Sequence, residues 1–139
     1  MRKVLLELME AARDCDARGG KVAGHHLAFD AGIIAEELNR AGLGYLIEEW
    51  SSIVKKGFCT MDPDTACAVR GREGLKDCNG ESISWNVPVG LKDMVSFMAP
   101  DHAQLREAHH DAGTDAVMCW RVCQGLATQR EALSAYLPG

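Results

Sequence analysis

Nowhere does the sequence hold the roughly 20 consecutive apolar residues that a membrane-spanning helix needs, so no membrane partner is expected. Glu7 and Glu10 interrupt the N-terminal apolar stretch, which removes the core of a signal peptide and makes an intracellular location the expectation. A glycine-rich phosphate loop followed by Lys-Ser/Thr is also missing, so hydrolysis of nucleoside triphosphates finds no support. The six cysteines (15, 59, 67, 78, 119 and 123) contain no Cys-x-x-Cys pair to start a tetrahedral zinc site, and they read as reduced thiols. Basic charge is not in excess either. The 15 Lys+Arg against 20 Asp+Glu leave a net charge of -5, which removes the bulk electrostatic basis for tight duplex binding. An enzyme that meets nucleic acid only at a metal-lined cleft remains compatible with that charge.

What is present is the composition of an ordinary folded domain: 139 residues, 47% hydrophobic and 25% charged, without repeats or low-complexity tracts. Val4, Leu5, Leu8, Met9, Ala12 and Cys15 recur at helical steps until Gly19-Gly20, which predicts an amphipathic helix over 3–18. A short strand over 21–25 follows, with Val22 and Ala23 at its centre, and then a second helix from about Asp30 to Gly42. Tyr45 to Val54 continues as a third helix, and Phe58 to Met61 forms a second strand before Asp62-Pro63. The stretch from Gly71 to Val87 has no sustained period and reads as an irregular, insertion-like loop. Leu91 to Met98 is a helix closed by Pro100, and His110 to Thr128 is the last long one. Strands separated by helices favour an α/β layered sheet, because a parallel pair needs a crossover. Met94, Met98 and Trp120 fall at helical spacing and are expected in the core, and Cys119 and Cys123 share one helix face.

Polar chemistry gathers at two points that a sheet would bring together. His25, His26 and Asp30 stand at the end of the first strand, where ligands of open α/β sheets sit, and His109, His110, Asp111 and Asp115 stand near the start of the last helix. Taken singly, His25 and His26 read as satisfied strand-end histidines, and Asp30 as a carboxylate favoured by a helix N-terminus. Arg70, Arg72 and Lys76 in the central excursion suit either a phosphate backbone or a solvated face.

Together the two segments resemble a family. His25-His26-Leu27-Ala28-Phe29-Asp30 with the following helix is similar to the second motif of the DEDDh 3′-5′ exonucleases, the group that includes the proofreading epsilon subunit of bacterial DNA polymerase. His110-Asp111-Ala112-Gly113-Thr114-Asp115 resembles that family's third motif, and the resemblance extends over about residues 2 to 127. It implies an RNase H-like α/β fold whose first three strands are missing, a partial exonuclease domain over 1–128 with the 71–87 loop inserted, and a tail over 129–139. It also implies hydrolysis of 3′-terminal phosphodiesters of a nucleic acid. Asp30 and Asp115 would ligate Mg²⁺ or Mn²⁺ in a two-metal site, and His110 would be the general base. His25, His26 and Phe29 would lie toward the substrate, although Phe29 is placed by its position before Asp30 as a core anchor.

The chain departs from that family in lacking any Asp-x-Glu, the source of two of its four acidic residues. Asp14-Cys15-Asp16 is the nearest imitation, on a predicted helix, and His26 stands where the family commonly has Asn. The metal site is therefore expected to be incomplete. A truncated gene model, a domain fragment, or a partner chain that completes the sheet would each account for the gap. Two other function classes compete: a catalytically silent nucleic-acid-binding or assembly module, and an HD-type metal phosphohydrolase built on His110-Asp111.

Overall fold

The computed structural model describes residues 1–61, 90–108 and 110–134. They divide between two compact units, Met1–Cys59 and Thr60–Gly139.

In the first unit, helix α1 (Arg2–Ala17) buries Leu5, Met9 and Ala12 along one stripe. Strand β1 (Ala23–Gly24) leads into helix α2 (Leu27–Arg40), and a 3-10 turn (Gly44–Leu46) leads into helix α3 (Ile47–Lys55) and strand β2 (Phe58–Cys59). Helix α2 ends when Gly42 takes a left-handed φ of 69°. That conformation lets the N–H of Gly42 reach Asn39 O and the N–H of Leu43 reach Leu38 O at 2.8 Å, satisfying carbonyls the helix leaves open. Leu38 and Leu43, brought together by this stop, are both fully buried. Gly19 ends α1 in the same way, with Gly20 N–H on Cys15 O at 2.9 Å.

The core of this unit joins Leu5, Met9 and Ala12 to Leu38, Leu43, Leu46, Trp50 and Ile53. Trp50 fills it with a large ring whose indole N–H donates to Ala31 O at 3.0 Å, so α3 is pinned to α2 without leaving a polar atom unsatisfied. At the rim, Arg13 of α1 grips Glu49 of α3 through two hydrogen bonds of 2.5 and 2.6 Å. Lys56 pairs with Asp16 at 2.5 Å. Asp14 is likewise taken, by Arg18 one turn on. Neither acid of the Asp14-Cys15-Asp16 segment is therefore a spare ligand.

β1 and β2 run parallel, with Ala23 opposite Phe58 and Gly24 opposite Cys59. The α2–α3 segment is the crossover that a parallel pair requires. The expected RNase H-like α/β fold is not what the chain forms: the described residues are overwhelmingly helical, with two strands of two residues each and no multi-stranded sheet. The reason is local. Only Val22 and Phe58 are strong strand formers here, whereas Ala23 and Gly24 favour extended structure poorly, so the pairing stops after one step.

In the second unit, helix α4 (Leu91–Met98) is followed by a 3-10 segment (Pro100–Ala108), kinked at His102, and by the long helix α5 (Ala112–Ser134). Leu91, Met94, Val95 and Met98 pack on Met118, Cys119 and Val122. Met94 and Met98 are core residues, as expected. Trp120 is not: it is 55% exposed, because it lies about 200° round the helix from Met118, and Arg121 rests its guanidinium 4.7 Å over the ring. The predicted loop over 71–87, like Arg70, lies outside the described residues, and of the predicted tail over 129–139 the described part, 129–134, continues α5. No helix among the described residues is long and apolar enough to cross a membrane.

Candidate functional site

Both polar segments singled out in the sequence place a left-handed histidine ahead of a helix, with Asp111 intervening as the cap only in the second. His26 is the N-cap of α2 and adopts a left-handed φ of 75°, and His110 adopts φ 77° just ahead of α5. In each case the motif aspartate is the fourth residue of the helix that follows, Asp30 in α2 and Asp115 in α5. A left-handed backbone at a residue with a Cβ is uncommon and costs on the order of 1 kcal/mol, so its presence at both histidines marks two enforced turns.

At the first turn, the carbonyl of His26 accepts the Phe29 N–H at 3.0 Å and the Asp30 N–H at 3.4 Å, which starts α2 three residues earlier than the sequence pattern indicates. The His26 imidazole stacks on Phe29, with ring centroids 5.4 Å apart and planes 20° from parallel. Phe29 is 60% exposed. Its expected role as a core anchor is therefore corrected: Leu27, buried beneath the turn, takes the core position, and Phe29 faces outward with Asp30. His25, half-buried, sits between the end of β1 and this turn.

At the second turn, the backbone N–H of His110 donates to Asp115 Oδ1 at 3.2 Å, folding the Asp115 carboxylate back over the turn. Asp111 is the residue that makes the helix start. Its Oδ2 accepts both the N–H and the hydroxyl of Thr114 at 2.9 Å, capping α5. These bonds, the backbone one foremost, hold the Asp111 carboxyl below the ordinary aspartate range. The Asp-x-x-Thr spacing in the sequence carries this signal. The Asp111 Oδ2 is thereby committed to the helix cap. His110 itself is exposed, while His109 lies outside the described residues.

The structure places His25, His26, Phe29 and Asp30 in the first unit and His110 and Asp115 in the second. Within each unit it keeps the motif members together. It does not assemble a metal centre: among the described residues no three His, Cys, Asp or Glu side chains come together to hold an ion. The carboxylates present do not fit two hard cations, which need several oxygen ligands each. Of the cysteines considered for zinc, Cys67 and Cys78 lie outside the described residues, and Cys59 is a free thiol. Cys123 does not offer a nucleophile either, because its hydrogen bond with Cys119, and then burial, push its thiol far up.

Comparison with known proteins adds no relative: no family model matches the chain, and neither the curated proteins nor the solved structures contain a match.

Proposed function

We propose that this chain acts on the 3′ end of a nucleic acid strand as part of a 3′-5′ exonuclease, hydrolysing the terminal phosphodiester. The observation that carries this reading is a left-handed histidine ahead of a helix whose fourth residue is the motif aspartate, at both segments that resemble the exonuclease motifs. In this reading the exposed His110 imidazole takes a proton from the attacking water. The water oxygen bonds to phosphorus, and the bond from phosphorus to the 3′-oxygen of the preceding nucleotide breaks. That oxygen takes a proton from solvent to leave a new 3′-hydroxyl on the strand, His110 returns its proton to solvent, and a nucleoside monophosphate leaves. Asp30 and Asp115 are the carboxylates of the chain's own motifs. Mg²⁺ or Mn²⁺ chemistry requires donors beyond those the described residues supply, whether from elsewhere in the protein or from a partner chain, so turnover by the chain alone is slow.

The test is digestion of a 3′-labelled single strand in Mn²⁺ by the wild type and by the Asp30→Asn and Asp115→Asn variants, with strand binding measured on the same samples. Loss of label release in both variants supports the reading. Release that neither substitution alters sinks it.

A second reading, a silent nucleic-acid-binding module, is favoured by the exposed His26–Phe29 stack and by Ile33 one turn further on, 47% exposed. Aromatic faces of this kind hold bases without sequence preference. Strand binding with no Mn²⁺-dependent release at all selects it.

A further inference from the structure

Four residues ahead of His110, the 3-10 segment and α4 enclose an open cavity of about 560 Å³ lined by Lys92, Ala103, Gln104, Arg106 and Glu107. Arg106 is held rather than free to swing. Its Nε donates to Ala103 O at 2.9 Å and its Nη1 to Ser96 Oγ at 2.7 Å. The Ser96 hydroxyl in turn donates to Lys92 O at 2.9 Å, so its lone pairs are aimed at the guanidinium. Both groups that position Arg106 are neutral. Among the described residues no carboxylate lies within ion-pair distance of Arg106 or Lys92, although Glu107 lines the same cavity.

An arginine fixed by neutral acceptors keeps its full charge and its remaining N–H groups for a ligand. It has also already surrendered the side-chain entropy that anion binding would otherwise cost. The contrast with the cavity of about 640 Å³ in the first unit is direct, because there Arg13 is consumed by Glu49 and Asp16 by Lys56. We propose that the Arg106–Lys92 groove is a phosphate site that holds a backbone phosphodiester of the strand whose 3′ end His110 serves. Guanidinium and ammonium groups together match its geometry and charge. This inference rests on the nuclease reading for the identity of the strand, but it requires only binding, not cleavage.

The test is fluorescence anisotropy of a fluorescein-labelled oligodeoxythymidylate across a salt series, with wild type, Arg106→Gln and Lys92→Ala, and thermal melts by circular dichroism as the check on folding. Arg106→Gln keeps an amide donor for Ala103 or Ser96 and loses the charge. The expected result is binding about tenfold weaker, with a salt dependence shallower by about 0.7 in the slope of log affinity against log salt. Lys92→Ala gives the same signature in smaller measure, and it decides the matter should Arg106→Gln melt early. Affinities and slopes equal to those of wild type in folded variants overturn the groove and leave the nuclease reading standing. A wild type that binds no strand overturns both. Digestion that fails while the groove variants still weaken binding removes the hydrolytic reading alone.

Discussion

The two units spend their charge differently. In the first, the described ion pairs tie helix to helix or turn to turn: Arg13 to Glu49, Lys56 to Asp16, Arg40 to Glu36 and Glu37. In the second, none of Lys92, Arg106 and Arg121 forms an ion pair among the described residues. Arg106 rests on a hydroxyl and a carbonyl, and Arg121 covers the face of Trp120. Cohesion there comes from the methionine-rich contact between α4 and α5. Charge that is neutralised internally contributes to holding a fold together, whereas cations left beside neutral groups are available to an anion. The comparison therefore assigns architecture to the first unit's charges, and it is the second unit's Arg106 and Lys92 that the proposed phosphate site uses.

Removing the apolar anchors affects each unit most. Trp50→Ala is expected to cost about 3–5 kcal/mol, since it opens a cavity and orphans Ala31 O, and Met94→Ala about 2–5 kcal/mol. Urea denaturation followed by circular dichroism measures both. A loss below about 1 kcal/mol at either position would mean that the core is not where the packing puts it.

A subtler break is Gly125→Ala. A Cβ at that position runs into the backbone of Met98, so α5 and α4 must separate. The expected cost is about 1–3 kcal/mol, confined to a contact the first unit does not use. An unchanged midpoint would show that the α4–α5 approach is looser than described.

The smallest effects are electrostatic and appear on acidification. Glu49, held below the ordinary carboxyl value of 4.5 first by its hydrogen bond from Arg13, binds fewer protons folded than unfolded around that pH. Its contribution to stability is thus complete above 4.5 and disappears as pH falls through the lowered folded value. Arg13→Ala should remove that part of the acid limb. Asp111 behaves with the same sign relative to its ordinary 3.8, through Thr114, and Asp111→Ala should flatten the limb similarly. Melting temperature against pH for the two variants compares the units directly. An acid limb that neither substitution alters would remove the electrostatic half of the comparison.

Much of this was legible in the residues, and the failures have physical causes. Gly19 and Gly42 punctuate α1 and α2 where the pattern breaks, because a left-handed stop is a local property that glycine declares. The parallel strand, helix, strand order was legible too, but not how short the pairing is. Strand length depends on neighbours far along the chain, and Lys21 to His25 holds too few branched residues to extend alone. In the candidate site, Asp30, His110 and Asp115 stand at helix starts as their spacing indicates. Phe29 and Trp120 depart from the expectation that a large apolar residue belongs to the core. Counting the angle from Leu27 or Met118 puts each away from the buried stripe, where only the packed structure decides.

The most direct measurement is release of nucleoside monophosphates from a 3′-labelled single strand in Mn²⁺ by the wild type and by His110→Ala, at matched strand occupancy. The account predicts slow release from the 3′ end that falls by at least about 100-fold in the variant while strand binding is retained. Undiminished release in His110→Ala, or no Mn²⁺-dependent release from a strand that the wild type does bind, contradicts it.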